Sequence, residues 1–142
     1  INRTNNLCVI QLRPYAPEVS RAIQWTCFSS NVFNTMVPLY TNITESPEYY
    51  RGAGEAPDTG NFYWANRIIA ALADAQFNDN TANIDRYAEK LGGLSHRMIA
   101  DTDALVGELI SSGAVSADDM ADGKVHEILN KAKEDFSHIV KT

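Results

Sequence analysis

The sequence predicts an α+β fold with its strands first: an N-terminal antiparallel β-hairpin, then a long loop, then about three helices. Three observations predict it. Residues 7–13 and 22–28 alternate in polarity with a period of two. Residues 45–60 hold Pro47, Gly52, Gly54, Pro57 and Gly60 among charges, with no period. From residue 61 onward the apolar residues recur at helical spacing.

In the first run Cys8, Ile10 and Leu12 fall on one face and Val9, Gln11 and Arg13 on the other. In the second, Ile23, Trp25 and Cys27 oppose Gln24, Thr26 and Phe28. The link between them carries Pro14 and Pro17, which cannot donate to a sheet ladder, so it reads as the hairpin connection. A symmetric hairpin brings Cys8 and Cys27 near each other across the strands. Both read as small buried hydrophobes, since neither has a neighbouring His in sequence to sustain a thiolate. Glu45 to Gly60 is a loop long enough to be functional or mobile.

Trp64, Ile68, Ala71, Leu72 and Ala75 form the first helical stripe, with Asn61 or Thr59 as its cap. Asp79, Asn80 and Thr81 interrupt it. A second stripe runs from Ile84 through Tyr87, Leu91, Leu94, Met98 and Leu105 to Leu109 and ends at Gly113. Gly92-Gly93 lies inside it as a candidate kink, at about 1 kcal/mol per Gly relative to Ala. Ser116-Ala117-Asp118-Asp119 reads as a capping-box variant opening a third helix. That helix has an apolar face of Val125, Ile128, Leu129, Ala132, Phe136 and Ile139, and Lys131, Lys133 and Lys141 crowd its C-terminal half, where the dipole favours cations. The organisation is one unit over 1–142: hairpin and following turn to 40, loop 41–60, helices 61–142.

With 44% hydrophobic and 21% charged residues, the composition is that of an ordinary globular chain. A net charge of −6 with scattered Lys and Arg argues against nucleic acid or an anionic membrane as partner. No apolar run approaches the length of a membrane span. The start at Ile1, with no initiator Met and no signal-peptide pattern, reads as a boundary or cleavage point. Two cysteines do not make a secreted disulfide framework, and a cytoplasmic location is expected.

Chemistry is sparse. His96, His126 and His138 lack metal or nucleophile spacing, and no phosphate-binding glycine motif is present. The acidic run at 118–122 lacks the alternating ligands and closing Glu of a calcium loop. The expectation is no metal, no cofactor and no catalytic residue in this chain. The best candidates by position are Ser30 and Asn31, in the Ser29-Ser30-Asn31 cluster after the second strand, as substrate-binding residues. Turn chemistry explains the same residue types. Phe62, Tyr63 and Trp64 read either as an aromatic wall for a ligand or as core anchors.

Three longer stretches carry a resemblance: 1–13 (INRTNNLCVIQLR), Trp25 to Tyr40, and Phe62 to Ala75 (FYWANRIIAALADA). Together they resemble the carboxy-terminal part of the bacterial cysteine-type dipeptidases, the dipeptidase A family of N-terminal-nucleophile hydrolases. The resemblance implies a sandwich of two β-sheets between helical layers. It implies dipeptide substrates of broad sequence, and a nucleophilic Cys at the start of the mature parent chain, whose α-amine, with a pKa of about 8, takes the thiol proton. A homo-oligomer is also expected. Neither Cys8 nor Cys27 occupies the nucleophile's position, and Arg3 is the one residue here considered for an assisting role. The fragment alone is expected to be inactive. Two other readings stand beside this one: a non-enzymatic helical interaction domain working through Trp25 and Trp64, and part of a penicillin-acylase-like amide hydrolase.

Overall fold

The structure is a computed structural model, and it describes residues 5–29 and 33–142. The element order is β1 (Asn6–Leu12), β2 (Ala22–Phe28), β3 (Val37–Tyr40), α1 (Phe62–Ala75), α2 (Phe77–Ser111) and α3 (Gly123–Lys141). Short 3-10 turns occupy Glu18–Ser20 and Glu48–Tyr50. The α+β arrangement with strands first is as the sequence predicts.

The sheet has three strands, in the order β1-β2-β3 with both pairs antiparallel. Val37-Pro38-Leu39-Tyr40, expected as a turn, is a strand. Its proline sits on an edge strand, the place in a sheet where a missing N–H is tolerated. Four residues are too few for alternation to show in the sequence.

The hairpin register pairs Leu7 with Cys27 and Cys8 with Thr26. The two cysteines are therefore one residue out of step, and in a strand one residue is the opposite face. Cys27 is buried, while Cys8 is exposed on edge strand β1, against the expectation that both pack inside. Burial pushes the Cys27 thiol up to about 11. The outer strand is open: Val9, Ile10 and Leu12 are 46%, 54% and 67% exposed.

The caps explain the helix starts. Asn61 accepts from the N–H groups of Tyr63 and Trp64 at 3.0 and 3.4 Å. The break between α1 and α2 falls at Gln76, and Asp79, Asn80 and Thr81 lie inside α2. This second helix runs for 35 residues straight through Gly92 and Gly93. The third helix starts later than expected. Asp122 is its cap, accepting from Lys124 and Val125 at 2.8 and 3.2 Å. Ser116 instead bonds the Asp118 carboxylate within the preceding turn. Its buried stripe is Val125, Leu129, Lys133, Phe136 and Val140, while Ile139 is exposed.

Two apolar clusters hold the layers together. Val19, Ile23 and Tyr40 from the strand region meet Ile99, Val106, Val125 and Leu129. Val37 meets Phe62, Leu91, Phe136 and Val140. The late part of α2 thus shares a cluster with the start of α3, and Leu91 with the end of α3, so the two helices run antiparallel.

One ion pair ties sheet to helix. Arg13, just past β1, is 3% exposed and donates through both guanidinium nitrogens to the Asp103 carboxylate of α2. It also donates to the Ser20 carbonyl. Tyr40 of β3 donates to the same carboxylate at 2.8 Å and lies under the guanidinium, 5.7 Å from ring centre to Cζ.

Two outcomes follow from this packing. At pH 8 only on the order of one Cys27 in a thousand is thiolate. A chromogenic disulfide reagent should therefore titrate one thiol promptly in the native chain and the second only after denaturation; two fast thiols would contradict the register. Asp103→Ala should lower unfolding free energy in denaturant by about 3 kcal/mol, because it strands a buried guanidinium. The paired change Arg13→Met with Asp103→Leu should cost less than the single one. An equal or larger loss in the double variant would show that the stranded charge is not the cause.

Candidate functional site

The end of β2 gathers polar side chains from three parts of the chain. Ser29 adopts a left-handed backbone, φ 63°, which is costly for a residue other than glycine and is concentrated at turns and sites. Its N–H donates to the Asn5 carbonyl at 2.8 Å, which extends the β1–β2 pairing by one step. Asn34 reaches back, its amide donating to the carbonyls of Phe28 and Asn66, each at 3.3 Å. Arg67 donates to the Asn5 side-chain oxygen at 3.1 Å and lies over the Tyr63 ring at 5.9 Å.

Tyr63 and Arg67, i and i+4 on α1, meet the strand end through Phe28 and Asn5, whereas Asn66 meets it through its backbone carbonyl, which accepts from Asn34. Asn66 is 3% exposed, and its amide nitrogen has no hydrogen-bond partner among the described residues. A buried donor left unpaired costs about 1–3 kcal/mol, so the position is not one that packing alone selects. Asn66 also lines a cavity of about 440 Å³ between α1, α2 and the end of α3, with Tyr49, Phe62, Ile69, Tyr87 and Lys141. That volume lies within the ~300–1,000 Å³ range of small-molecule pockets. Burial raises the Tyr49 and Tyr87 hydroxyls above their ordinary value. Those two walls are therefore neutral hydroxyls at neutral pH. The two donors are separate: the Asn66 amide is buried at the cavity wall, while Arg67 is exposed outside that lining, where a guanidinium suits a carboxylate or a developing oxyanion.

Ser30 and Asn31 lie outside the described residues, but their neighbour Ser29 stands in this cluster. Arg3 also lies outside them. The aromatic triplet divides: Phe62 is core, stacking with Phe28, Tyr49 and Tyr50. Tyr63 joins Arg67. Trp64 pins the loop by donating to the Gly54 carbonyl at 2.8 Å.

The first half of that loop is held from α3. Asn130 bonds Thr44 twice, at 2.9 and 3.3 Å, and Lys133 donates to the Glu45 carbonyl. His126 contacts the Asn42 side-chain oxygen at 3.2 Å, and His96 packs on Trp25 with ring centres 5.6 Å apart. These histidines are structural contacts.

Residues 1–90 match peptidase family C69. This chain belongs to peptidase family C69. The C69 chain is 43% identical to a dipeptidase of Bifidobacterium longum over 127 residues, which cover 89% of this chain and 23% of that protein. It is 36% identical to a probable dipeptidase A of Streptococcus pyogenes serotype M3, over 99% of this chain and 31% of that one. Dipeptidase A of Lactobacillus helveticus is 29% identical, over 77% of this chain and 23% of its own length. The chain thus spans between about a quarter and a third of the length of these three relatives. The C69 match includes β1, β2, β3, α1 and the donor cluster that they frame.

Sequence reading passed over Asn5, Asn34, Asn66 and Arg67. One signal was available for Asn66: an amide in the middle of an apolar helix. The other three depend on which loop returns to the strand end, which no local pattern encodes.

Proposed function

We propose that the chain is the carboxy-terminal part of a cysteine dipeptidase, with the nucleophile on the part of the parent not covered by these residues. The family and the names of its relatives support this reading. The observation that carries it to these residues is the exposed Arg67 guanidinium held at the strand end by Asn5 and Tyr63. A dipeptide ends in a carboxylate within a few ångströms of its scissile carbonyl. A guanidinium at the strand end suits capture of that terminus, with Arg67 as the charged partner and Ser30 and Asn31 as further donors. Burial of Cys27 and its raised thiol pKa weigh against it as the nucleophile. The open face of β1 suits cover by a second sheet, as the αββα sandwich requires. In this reading 1–142 is one portion of a larger unit, cytoplasmic and homo-oligomeric. Among the described residues no helix is long and apolar enough to cross a membrane.

The interaction-domain alternative loses its anchors. Trp25 already bonds the Gln11 side chain at 2.8 Å, and Trp64 is spent on the loop.

The natural-length protein should hydrolyse a panel of dipeptides and lose that activity on thiol alkylation, while the 142-residue chain alone stays inert. A penicillin-type amide in the same panel separates the acylase reading; cleavage of it in preference to dipeptides would replace the present one. Arg67→Met should raise KM for dipeptides about ten- to a hundredfold, the weight of one lost charge-assisted bond of ~1.5–3 kcal/mol, with kcat nearly unchanged. Dipeptides amidated at the C-terminus should show no such penalty. An equal effect on free and amidated substrates would remove Arg67 from carboxylate capture.

A further inference from the structure

We propose that the outer edge of β1 pairs with a further strand, contributed by the part of the parent protein outside these residues. In that arrangement β1 is an interior strand of a larger sheet, and β3 ends it. The inference rests on the chain being one portion of a longer protein, and not on the chemistry of that protein.

The two edges of the sheet differ. β3 has four residues, with Pro38 among them. The Thr41 N–H donates to the Ala22 carbonyl at 3.1 Å, and the register pairs Gln24 with Leu39 and Thr26 with Val37. Val37, Leu39 and Thr41 therefore turn their backbone groups toward β2, and Pro38 falls at a position facing off the sheet, where no N–H is needed. A short strand with an outward proline is a protected edge.

β1 has none of that protection. It runs for seven residues in unbroken register with β2, with no charged residue and no proline. The bonds at its two ends fix its outward side. Arg13 N–H donates to the Arg21 carbonyl at 3.1 Å, and Ser29 N–H to the Asn5 carbonyl at 2.8 Å. Odd-numbered positions thus face β2, and the backbone N–H and C=O groups of Asn6, Cys8, Ile10 and Leu12 point off the sheet. Among the described residues no strand lies beside them. Self-contained sheets block such a row with lysine, proline or a bulge. The side chains agree. Val9 is 46% exposed on the face shared with Trp25, and Ile10 and Leu12 are 54% and 67% exposed on the opposite one. A near-continuous apolar run such as Leu7-Cys8-Val9-Ile10 belongs to a strand covered on both faces.

The occupant follows from what has to be covered. A second copy pairing β1 with β1 would satisfy the edge and leave the Ile10–Leu12 face as open as before, on both copies. A longer chain can supply the strand and the cover together. The matched region is 23% of the Bifidobacterium longum dipeptidase and 31% of the Streptococcus pyogenes protein, so most of each lies outside it. A strand from the same chain also arrives at high effective concentration, as a separate copy does not.

Residue-resolved hydrogen exchange on the natural-length protein reads the edge with no substitution at all. The amides of Cys8, Ile10 and Leu12 should be slowed to within about tenfold of their inward neighbours Leu7, Val9 and Gln11. Outward amides that exchange faster than that margin would overturn the proposal. The occupant is read by photo-crosslinking of the natural-length variant Ile10→benzoylphenylalanine. The link should form within one chain, to a segment outside residues 1–142. A link between two copies, a link confined to 1–142, or no link despite protected amides would each overturn it. Neither readout involves hydrolysis, so a protein that cleaves no dipeptide could still show the added strand, and an active one could lack it.

Discussion

The buried guanidinium of Arg13 is the constraint on which the rest of the structure depends. A charge that is 3% exposed must be answered on nearly every side, and the answers come from separate parts of the chain. Asp103 supplies the counter-charge from α2, Ser20 a carbonyl from the connection, and Tyr40 a ring face from β3. The Tyr40 hydroxyl bonds Asp103 in turn, while the buried Arg13 Nε has no hydrogen-bond partner among the described residues. Burial and the nearby Asp103 carboxylate hold that hydroxyl far above its ordinary pKa, so it stays a donor. Meeting all of these at once sets how the sheet lies on the long helix. The ion pair need not add much net stability for this to hold, since desolvation offsets much of its attraction. Its weight is in specificity: sliding the sheet by one residue would leave the guanidinium unpaired.

With the sheet placed on α2, the strand-end cluster follows. The exit of β2 at Ser29 is fixed by the pairing to Asn5, and α1 is fixed by Phe62, which sits in the second core cluster. Asn66 is one turn along from Phe62, so the packing that buries the ring also buries the amide beside the strand end. Arg67 completes the set from the next position. The arrangement is preorganised: α1 and the strand pairing hold Asn66 and Arg67 while the loop is secured separately, by Trp64 from one side and by Asn130 and Lys133 from the other. Such rigidity lets donors wait for charge rather than reorganise toward it.

The third helix has two faces with different work. One side clamps the loop through Asn130 and Lys133, and the buried Lys133 pays a desolvation cost that lowers its pKa. The other side, with α2, carries the apolar groove. Helices that were only core covers would have a polar outer face. These two leave Leu105 and Ile139 exposed on that face.

The sequence by itself determined the two hairpin strands, the Asn61 cap and the class of the fold, because each is written in near neighbours: alternation, a capping side chain, a helical stripe. It also carried the family resemblance, through long ordered stretches rather than single motifs. Tertiary structure alone decided the rest. The cysteines were placed on opposite faces by a register one residue away from the symmetric one, and that offset is set by how the Pro14–Pro17 connection closes. β3 became a strand because β2 offered it an edge. The start of α3 went to Asp122 rather than Ser116, since Val125 and Leu129 had to reach the core. The candidate cluster was only partly legible: Ser29 stands in it, Ser30 and Asn31 lie outside the described residues, and Asn5, Asn34, Asn66 and Arg67 come together over separations of up to 62 residues. Only the closed fold brings such distant positions into hydrogen-bonding range, because no local periodicity records which loop returns to which strand.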